Sequence, residues 1–149
     1  MMDLNDILNM WKKDAVIDDV CLDDETIKSS KLHAKYLELF SMAKLMLKKK
    51  EMEREATKKD KWLYYNGKMT QQDMDKRKWK YDPFDGSTKP MKSDMEMYYS
   101  TDEDMVRITA QIDYNKTIVE TLEEIMGNIR WRSSHIKNIL DFKKFTSGM

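Results

Sequence analysis

The chain has 149 residues, the length of one domain, and its 27 basic and 27 acidic side chains balance to a formal net charge of zero. A hydrophobic content of 40% suffices for a packed core, while only four glycines and two prolines favour long helices. The single Cys21 excludes an internal disulfide, and no 18-residue window is continuously apolar, so the sequence predicts a cytoplasmic protein without a membrane span.

Two helices are predicted in region 1–67. The first begins at its N-cap, Asp3, and ends near Lys13, with an apolar face formed by Leu4, Ile7, Leu8 and Trp11. An acidic connector over 14–24 leads into a second helix over about 24–65. Its apolar stripe consists of Leu32, Tyr36, Leu39, Ala43 and Met46. Beyond Leu47 charge replaces this stripe, so the second half of the helix should face water or a partner, and Asn66-Gly67 ends it.

Region 68–100 is predicted to be an irregular linker with short helices. One helix should be capped by Thr70, and a brief one is expected near 93–99. Pro83 and Pro90 fall in a turn-rich stretch between them.

Region 101–149 carries the strongest helical pattern. A capping-box-like start at Thr101 leads into a helix that ends near Phe145 and is roughly 65 Å long at about 1.5 Å per residue. Of twelve heptad positions between Met105 and Lys143, nine are apolar, and a second apolar stripe lies beside them. This surplus favours packing against copies of the same chain, because a single small domain should not cover both stripes. The alternative is that the second helix covers both within one protomer.

Residues predicted to mediate self-association come from both stripes of this helix. They are Ile118, Leu122, Ile125, Ile129, Ile136 and Ile139. Asn115 within the heptad positions is interpreted as a register device, and Gly127 suggests a close neighbour or a bend.

The sequence does not resemble that of an enzyme. It lacks phosphate-binding glycine loops, zinc-protease motifs and calcium-loop spacing. His33 and His135 lie about a hundred residues apart without a cysteine pair, so no metal site or cofactor is predicted. The acidic clusters fall at predicted helix starts, where capping explains them.

A basic and aromatic segment over 48–67 is the most informative feature. Residues 48–61 hold seven Lys or Arg against four Asp or Glu, and Trp62, Tyr64 and Tyr65 follow directly. Cations that bind phosphates beside rings that stack on bases are typical of proteins that bind single-stranded nucleic acid. The alternative is a solvated helix face, which the like-charge pairs Lys50–Arg54 and Glu51–Glu55 argue against. Two further patches of this kind span 76–81 and 130–132.

Five short motifs, in this order and spacing, resemble the UvsY family, the recombination mediators of T-even-type bacteriophages. They are Met10-Trp11-Lys12-Lys13-Asp14 with Ile17-Asp18, Leu32-His33-Ala34-Lys35-Tyr36, Leu63-Tyr64-Tyr65-Asn66-Gly67-Lys68, Ile136-Lys137-Asn138, and Phe145-Thr146-Ser147-Gly148-Met149. The match covers nearly the whole chain and is loose only around residues 81–91.

The resemblance implies a non-enzymatic, ring-like, all-α homo-oligomer, in the hexamer or heptamer range, that binds single-stranded DNA. Such a protein helps the phage recombinase displace the phage single-strand DNA-binding protein during recombination, repair and recombination-dependent replication. It would act in the cytoplasm of the infected bacterial host. The acidic connector and the first helix are the expected contacts for the recombinase.

The family's DNA-contacting basic pair falls on Lys59 and Lys61. Asp60 departs from members that carry an uncharged residue between the two cations, and Lys58 and Arg54 would compensate for its charge. Trp62 and Tyr65 complete the predicted contact set, and the last helix corresponds to the family's self-association region.

The composition is also compatible with two other functional classes. A coiled-coil scaffold that docks an acidic protein would form the same oligomer without salt-sensitive binding of an oligonucleotide. A duplex-DNA regulator ranks last, because no helix-turn-helix spacing is present.

Overall fold

The computed structural model describes residues 2–87 and 89–148; Met149, the last residue of the carboxy-terminal motif, lies outside them. The described residues form helices and no strand, which confirms the all-α fold class. In chain order the elements are α1 (Leu4–Asp14), α2 (Leu22–Tyr65), α3 (Gln71–Arg77), a 3₁₀ turn (Lys92–Asp94), α4 (Met95–Thr101) and α5 (Glu103–Thr146). None of the helices in the described ranges has the length and apolar character needed to cross a membrane.

Most helix ends lie where local signals predicted them. The Asp3 carboxylate accepts a hydrogen bond from the Asp6 amide at 2.8 Å, and Thr70 caps α3 in the same way. At the end of α2 the Lys68 amide donates to the Leu63 carbonyl at 2.8 Å, and the Gly67 amide donates to the Tyr64 carbonyl at 3.2 Å. This pair of bonds, with Gly67 at φ +69°, is a Schellman ending.

The start of α5 differs from the expectation. Thr101 is the last residue of α4, and Asp102, in an extended conformation, separates α4 from α5. The Asp102 carboxylate then accepts hydrogen bonds at 3.0 Å from the amides of Asp104 and Met105. Asp102 is therefore the cap of α5, because its short acidic side chain reaches the free amides of the first turn.

The chain forms two compact units, and α2 and α5 each contribute to both. Unit 1 comprises Met1–Met46 and Asn115–Met149, and unit 2 comprises Leu47–Tyr114. The division into regions 1–67, 68–100 and 101–149 stays a prediction about where functions reside.

The core of unit 1 is built by α1, the first half of α2 and the second half of α5. Its buried residues are Ile7, Leu32, Tyr36, Ala43, Ile118, Leu122, Ile125, Met126 and Ile129. Ile118 and Ile125 belong to the second apolar stripe of α5, yet they are only 1% and 3% exposed. The expectation that one protomer leaves this stripe uncovered is wrong, because α1 adds a third helix to the apolar faces of α2 and α5.

Unit 2 is held together by a cluster of aromatic rings at the end of α2. Tyr65 lies between Tyr64, Phe84 and Tyr98, with ring centroids 5.3 to 5.8 Å apart. Tyr64 also packs on Trp79 at 4.9 Å, and its hydroxyl donates to the Lys80 carbonyl at 2.7 Å. Phe84 thus anchors the proline-containing linker, because its apolar ring packs on Tyr65 and Tyr98.

Replacement of glycine by alanine should change the free energy of unfolding in opposite directions at two positions. A Cβ at Gly127 would meet nothing within 4 Å, so no close neighbour in the described protomer accounts for this glycine. Gly127→Ala should raise the free energy of unfolding by about 1 kcal/mol, because alanine favours a helix interior. Gly67→Ala should lower it by about 1 kcal/mol, because φ is positive there. Chemical denaturation monitored by circular dichroism measures both. A loss of stability in Gly127→Ala would indicate that another copy packs closely on this position.

Candidate nucleic-acid interface

The six predicted DNA contacts all lie on α2 but divide between two faces. Successive residues of an α-helix are rotated by about 100°, so Lys59 and Lys61 project to nearly opposite sides. Lys61 and Tyr65 lie on the packed side, whereas Lys59 and Trp62 lie on the exposed side.

Lys61 is buried in an ion-pair network, with 4% of its surface exposed. Its ammonium lies 2.8 Å from the Asp104 carboxylate and 3.1 Å from that of Asp102. The same ammonium lies 3.8 Å from the centroid of the Trp79 ring, a cation–π contact. Two carboxylates and an indole thus surround the Lys61 ammonium, and a phosphate could contact it only by displacing them.

Tyr65 shares this network. Its hydroxyl donates to the Asp102 carboxylate at 2.6 Å. The pKa of Tyr65 is raised well above its ordinary value, mainly by burial and also by this hydrogen bond. Because its ring packs on Tyr64, Phe84 and Tyr98, it offers little free surface for stacking on a base.

Lys58 and Arg54 lie beside the packed face. The Lys58 ammonium is 3.4 Å from the Glu96 carboxylate and 5.2 Å from the Tyr99 ring centroid. Arg54 is exposed and lines a groove of about 450 Å³ together with Glu96, Tyr99 and Met105. Both cations border a surface that also carries acids, so their field is partly cancelled.

Lys59 and Trp62 form the exposed part of the predicted set. Lys59 makes no ion pair with any residue in the described ranges, and Trp62, three positions later on the same side, is 38% exposed. The Lys68 ammonium lies over the Trp62 ring, 4.5 Å from its centroid. A free cation and an accessible indole, side by side, have the chemistry that a nucleotide requires.

The turn after α2 brings a further lysine to this site. The Lys89 ammonium lies 3.4 Å from the Asn66 carbonyl oxygen and close to the α-carbon of Gly67. Asn66 in turn donates from its side-chain amide to the Trp62 carbonyl at 2.8 Å. We call Lys59, Trp62, Lys68 and Lys89 the tryptophan site.

Of these four residues, the sequence pattern did not identify Lys68 and Lys89 as contacts. The Schellman ending at Asn66-Gly67 could have located Lys68, because this ending folds the next residue back over the last helical turn. Lys89 reaches the turn from 23 positions away, across a segment without periodicity, and no local signal predicted it.

Much of the charge in the other two basic patches is engaged within the chain. Arg77 pairs with Asp60 at 2.7 Å, and Lys80 pairs with Asp85. Arg132 is buried in unit 1 in an ion pair with Glu25. Trp131, by contrast, is 67% exposed.

The six predicted self-association residues lie in unit 1. Ile118, Leu122, Ile125, Ile129 and Ile136 are buried, and Ile139 is half-buried. The large exposed rings of α5 are other residues, at Tyr114 in unit 2 and at Trp131, Phe142 and Phe145 in unit 1.

Comparison with known proteins gives a consistent result. The family model described as "Recombination, repair and ssDNA binding protein UvsY" matches residues 10–149. The chain is 25% identical over 147 residues to the recombination protein uvsY of Enterobacteria phage T4, and the match covers 99% of both. A crystal structure of the bacteriophage T4 recombination mediator protein UvsY has a TM-score of 0.81 at 24% identity, covering 99% of each chain. A second crystal form gives 0.80 at 23% identity, covering 97% of this chain and 99% of that one.

The ion-pair network predicts a large difference between two neighbouring lysines. Lys61→Met should lower the free energy of unfolding by about 3 kcal/mol, because it leaves the buried Asp102 carboxylate without a cation, whereas Arg107 still pairs with Asp104. Lys59→Met is the matched control on the exposed face and should change it by less than about 0.5 kcal/mol. Urea denaturation near neutral pH measures both. Equal losses in the two variants would contradict the assignment of Lys61 to a structural role.

Acidification should reduce this difference. The hydrogen bond from Lys61, opposed by burial, holds the pKa of Asp104 below its ordinary value of 3.8. A lowered folded-state pKa gives stability that is present above 3.8 and is lost as pH falls through the folded value. The free energies of unfolding of wild type and Lys61→Met should therefore converge as the pH falls below the folded-state pKa of Asp104.

Proposed function

This chain belongs to the UvsY family of recombination, repair and single-stranded-DNA-binding proteins, and on that basis we propose that it is a recombination mediator that acts as a homo-oligomer on single-stranded DNA. It helps load the phage recombinase onto DNA covered by single-strand-binding protein. This serves homologous recombination, repair and recombination-dependent replication in the cytoplasm of the infected bacterial host. No catalytic step is part of the proposal.

The observation that carries the DNA-binding part is the exposed pair of Lys59 and Trp62. Lys59 carries a charge that no acid in the described ranges neutralises, and Trp62 presents an indole on the same face. Phosphate contacts supply affinity without sequence preference, and stacking on an aromatic ring accepts any base. A mediator that acts wherever single strands arise needs binding of this kind.

Oligomerisation compensates for the small size of each contact surface. One or two phosphate contacts per protomer give weak binding at physiological salt. Several copies on one strand raise the effective concentration of each following contact, and avidity can rise by orders of magnitude. A ring in the hexamer or heptamer range would bend the strand, which would loosen a bound single-strand-binding protein.

We assign self-association to the exposed aromatic face of α5. Trp131, Phe142 and Phe145 recur at spacings of eleven and three, which place them on one side of the helix. They are 67%, 67% and 81% exposed, an unusual amount of uncovered aromatic surface for a monomer. The predicted set around Leu122 stabilises the protomer, so a second copy is more readily accepted by these outer rings.

The recombinase contact is assigned to the acidic connector and α1. Asp23 and Asp24 are exposed there and form no ion pair within the described ranges. Asp14, by contrast, is engaged by Lys35 at 2.7 Å and by the Tyr36 hydroxyl at 2.9 Å, and Asp19 pairs with Lys143 at 3.9 Å. Unpaired carboxylates in unit 1 would keep this surface away from DNA and suit a basic protein partner.

Lys59→Ala tests the DNA contact. Removing one phosphate contact should weaken binding to oligo-dT and reduce the slope of log K against log salt by about 0.7 for each protomer engaged. Fluorescence anisotropy over a salt series measures the slope. Lys76→Ala, which removes an exposed lysine of α3, is the control and should leave it unchanged. If only the control lowers the slope, the DNA lies over α3 instead, and if wild type shows no salt-sensitive binding, the protein is a scaffold.

Trp131→Asp combined with Phe142→Asp tests the assembly. Charges on the aromatic face should give smaller species in light scattering and a parallel loss of affinity for oligo-dT, because avidity depends on copy number. Val106→Asp places one such charge at an exposed apolar position of α5 in unit 2, 25 residues before Trp131, and should leave the mass unchanged. An unchanged mass in the double variant would rule out this face.

A further inference from the structure

The tryptophan site holds its cations without acidic partners. No carboxylate in the described ranges lies within ion-pair distance of Lys59, Lys68 or Lys89, although the chain as a whole is neutral. Lys68 instead places its ammonium over the Trp62 ring. A lysine that covers an exposed indole occupies the surface on which a base would stack.

The backbone fixes this position. The Schellman hydrogen bond from the Lys68 amide to the Leu63 carbonyl folds Lys68 back towards the last turn of α2. The Asn66 side chain braces the same turn through the Trp62 carbonyl. The Lys68 stem is therefore anchored next to the indole, while its four-carbon chain lets the ammonium move by several ångströms.

An incoming nucleotide changes the balance at this position. Stacking of a base on an aromatic ring is stronger than an exposed cation–π contact, so the base displaces the ammonium. The released ammonium is then close to the phosphate of the stacked nucleotide, where it gains an ion pair and releases a counterion. In this exchange the weak cation–π contact of Lys68 is replaced by two contacts with the strand, the stacked base on Trp62 and the phosphate on Lys68.

We propose that Lys68 is a phosphate-binding residue that covers Trp62 in the free protein and moves from the indole to a backbone phosphate when a base stacks there. This inference rests on the proposed binding of single-stranded DNA. Lys59 binds the phosphate on the opposite side of the stacked base, and Lys61 takes no part in contact. Lys89, held at the Asn66 carbonyl, extends the positive surface along the strand.

The experiment compares Lys68→Met with Lys68→Arg, using Lys116→Met as the control at an exposed lysine of α5 outside the three basic patches. Each is titrated with oligo-dT and with an abasic oligonucleotide of equal length, over a salt series. On oligo-dT, Lys68→Met should lower the salt slope by about 0.7 for each protomer engaged, while the other two variants keep the wild-type slope. On the abasic strand the loss in Lys68→Met should be smaller, because without a base the ammonium stays on the indole.

A second measurement follows the indole itself. Binding of oligo-dT should quench tryptophan fluorescence in wild type, and Trp62→Phe should remove that part of the quenching, because the other three tryptophans lie outside the site. Quenching by the abasic strand should be weak.

The outcomes separate this inference from the proposed function. If Lys68→Met keeps the full slope on oligo-dT while Lys59→Ala lowers it, the exchange is overturned and the DNA-binding function stands. An equal loss on both strands would also overturn the exchange, since Lys68 would then bind phosphate independently of a base. If wild type shows no salt-sensitive binding to either strand, the proposed function fails and this inference fails with it.

Discussion

The ion pair of Lys61 with Asp102 and Asp104 determines which side of α2 is exposed in unit 2. A helix is nearly rigid about its axis, so holding Lys61 inwards also directs Lys59 and Trp62 outwards. Tyr65, one turn after Lys61, repeats the constraint through its own hydrogen bond to Asp102. Asp102 also caps α5, so one carboxylate sets both the start of that helix and the rotation of α2. The accessible surface of the basic segment is thus a consequence of a buried network.

The features that the sequence predicted correctly are helix ends whose conformation depends on residues no more than four positions away. The caps at Asp3 and Thr70 and the ending at Asn66-Gly67 depend on one side chain or one φ angle, and the pattern contained each of them. The start of α5 was misplaced by one residue because its position depends on where α4 ends. The weak pattern of residues 93–99 did not specify that end.

The candidate site was predicted less completely, because residues of the same type have different neighbours in the folded protein. Lys59 and Lys61 have the same chemistry, and only the acids 41 and 43 positions after Lys61 distinguish them. Arg132 has the sequence surroundings of a free cation, yet it pairs with Glu25, which lies 107 positions away. In the same way, the apolar surplus of α5 was assigned to other copies because nothing local indicated that α1 would help to cover it. Such contacts between distant segments are outside the reach of periodicity.

The pairing of charges also explains how a chain with no net charge can carry a locally positive surface. Asp60 interrupts the basic pair and would be expected to weaken its field, yet Arg77 binds that carboxylate at 2.7 Å. Asp102 and Asp104 pair with two cations, Lys61 and Arg107, so these two carboxylates add little net charge to this part of unit 2. Asp60, Asp102 and Asp104 are therefore compensated within unit 2, whereas the lysines around Trp62 pair with no acid in the described ranges. For a strand near this surface, the local field depends on the unpaired cations rather than on the total count.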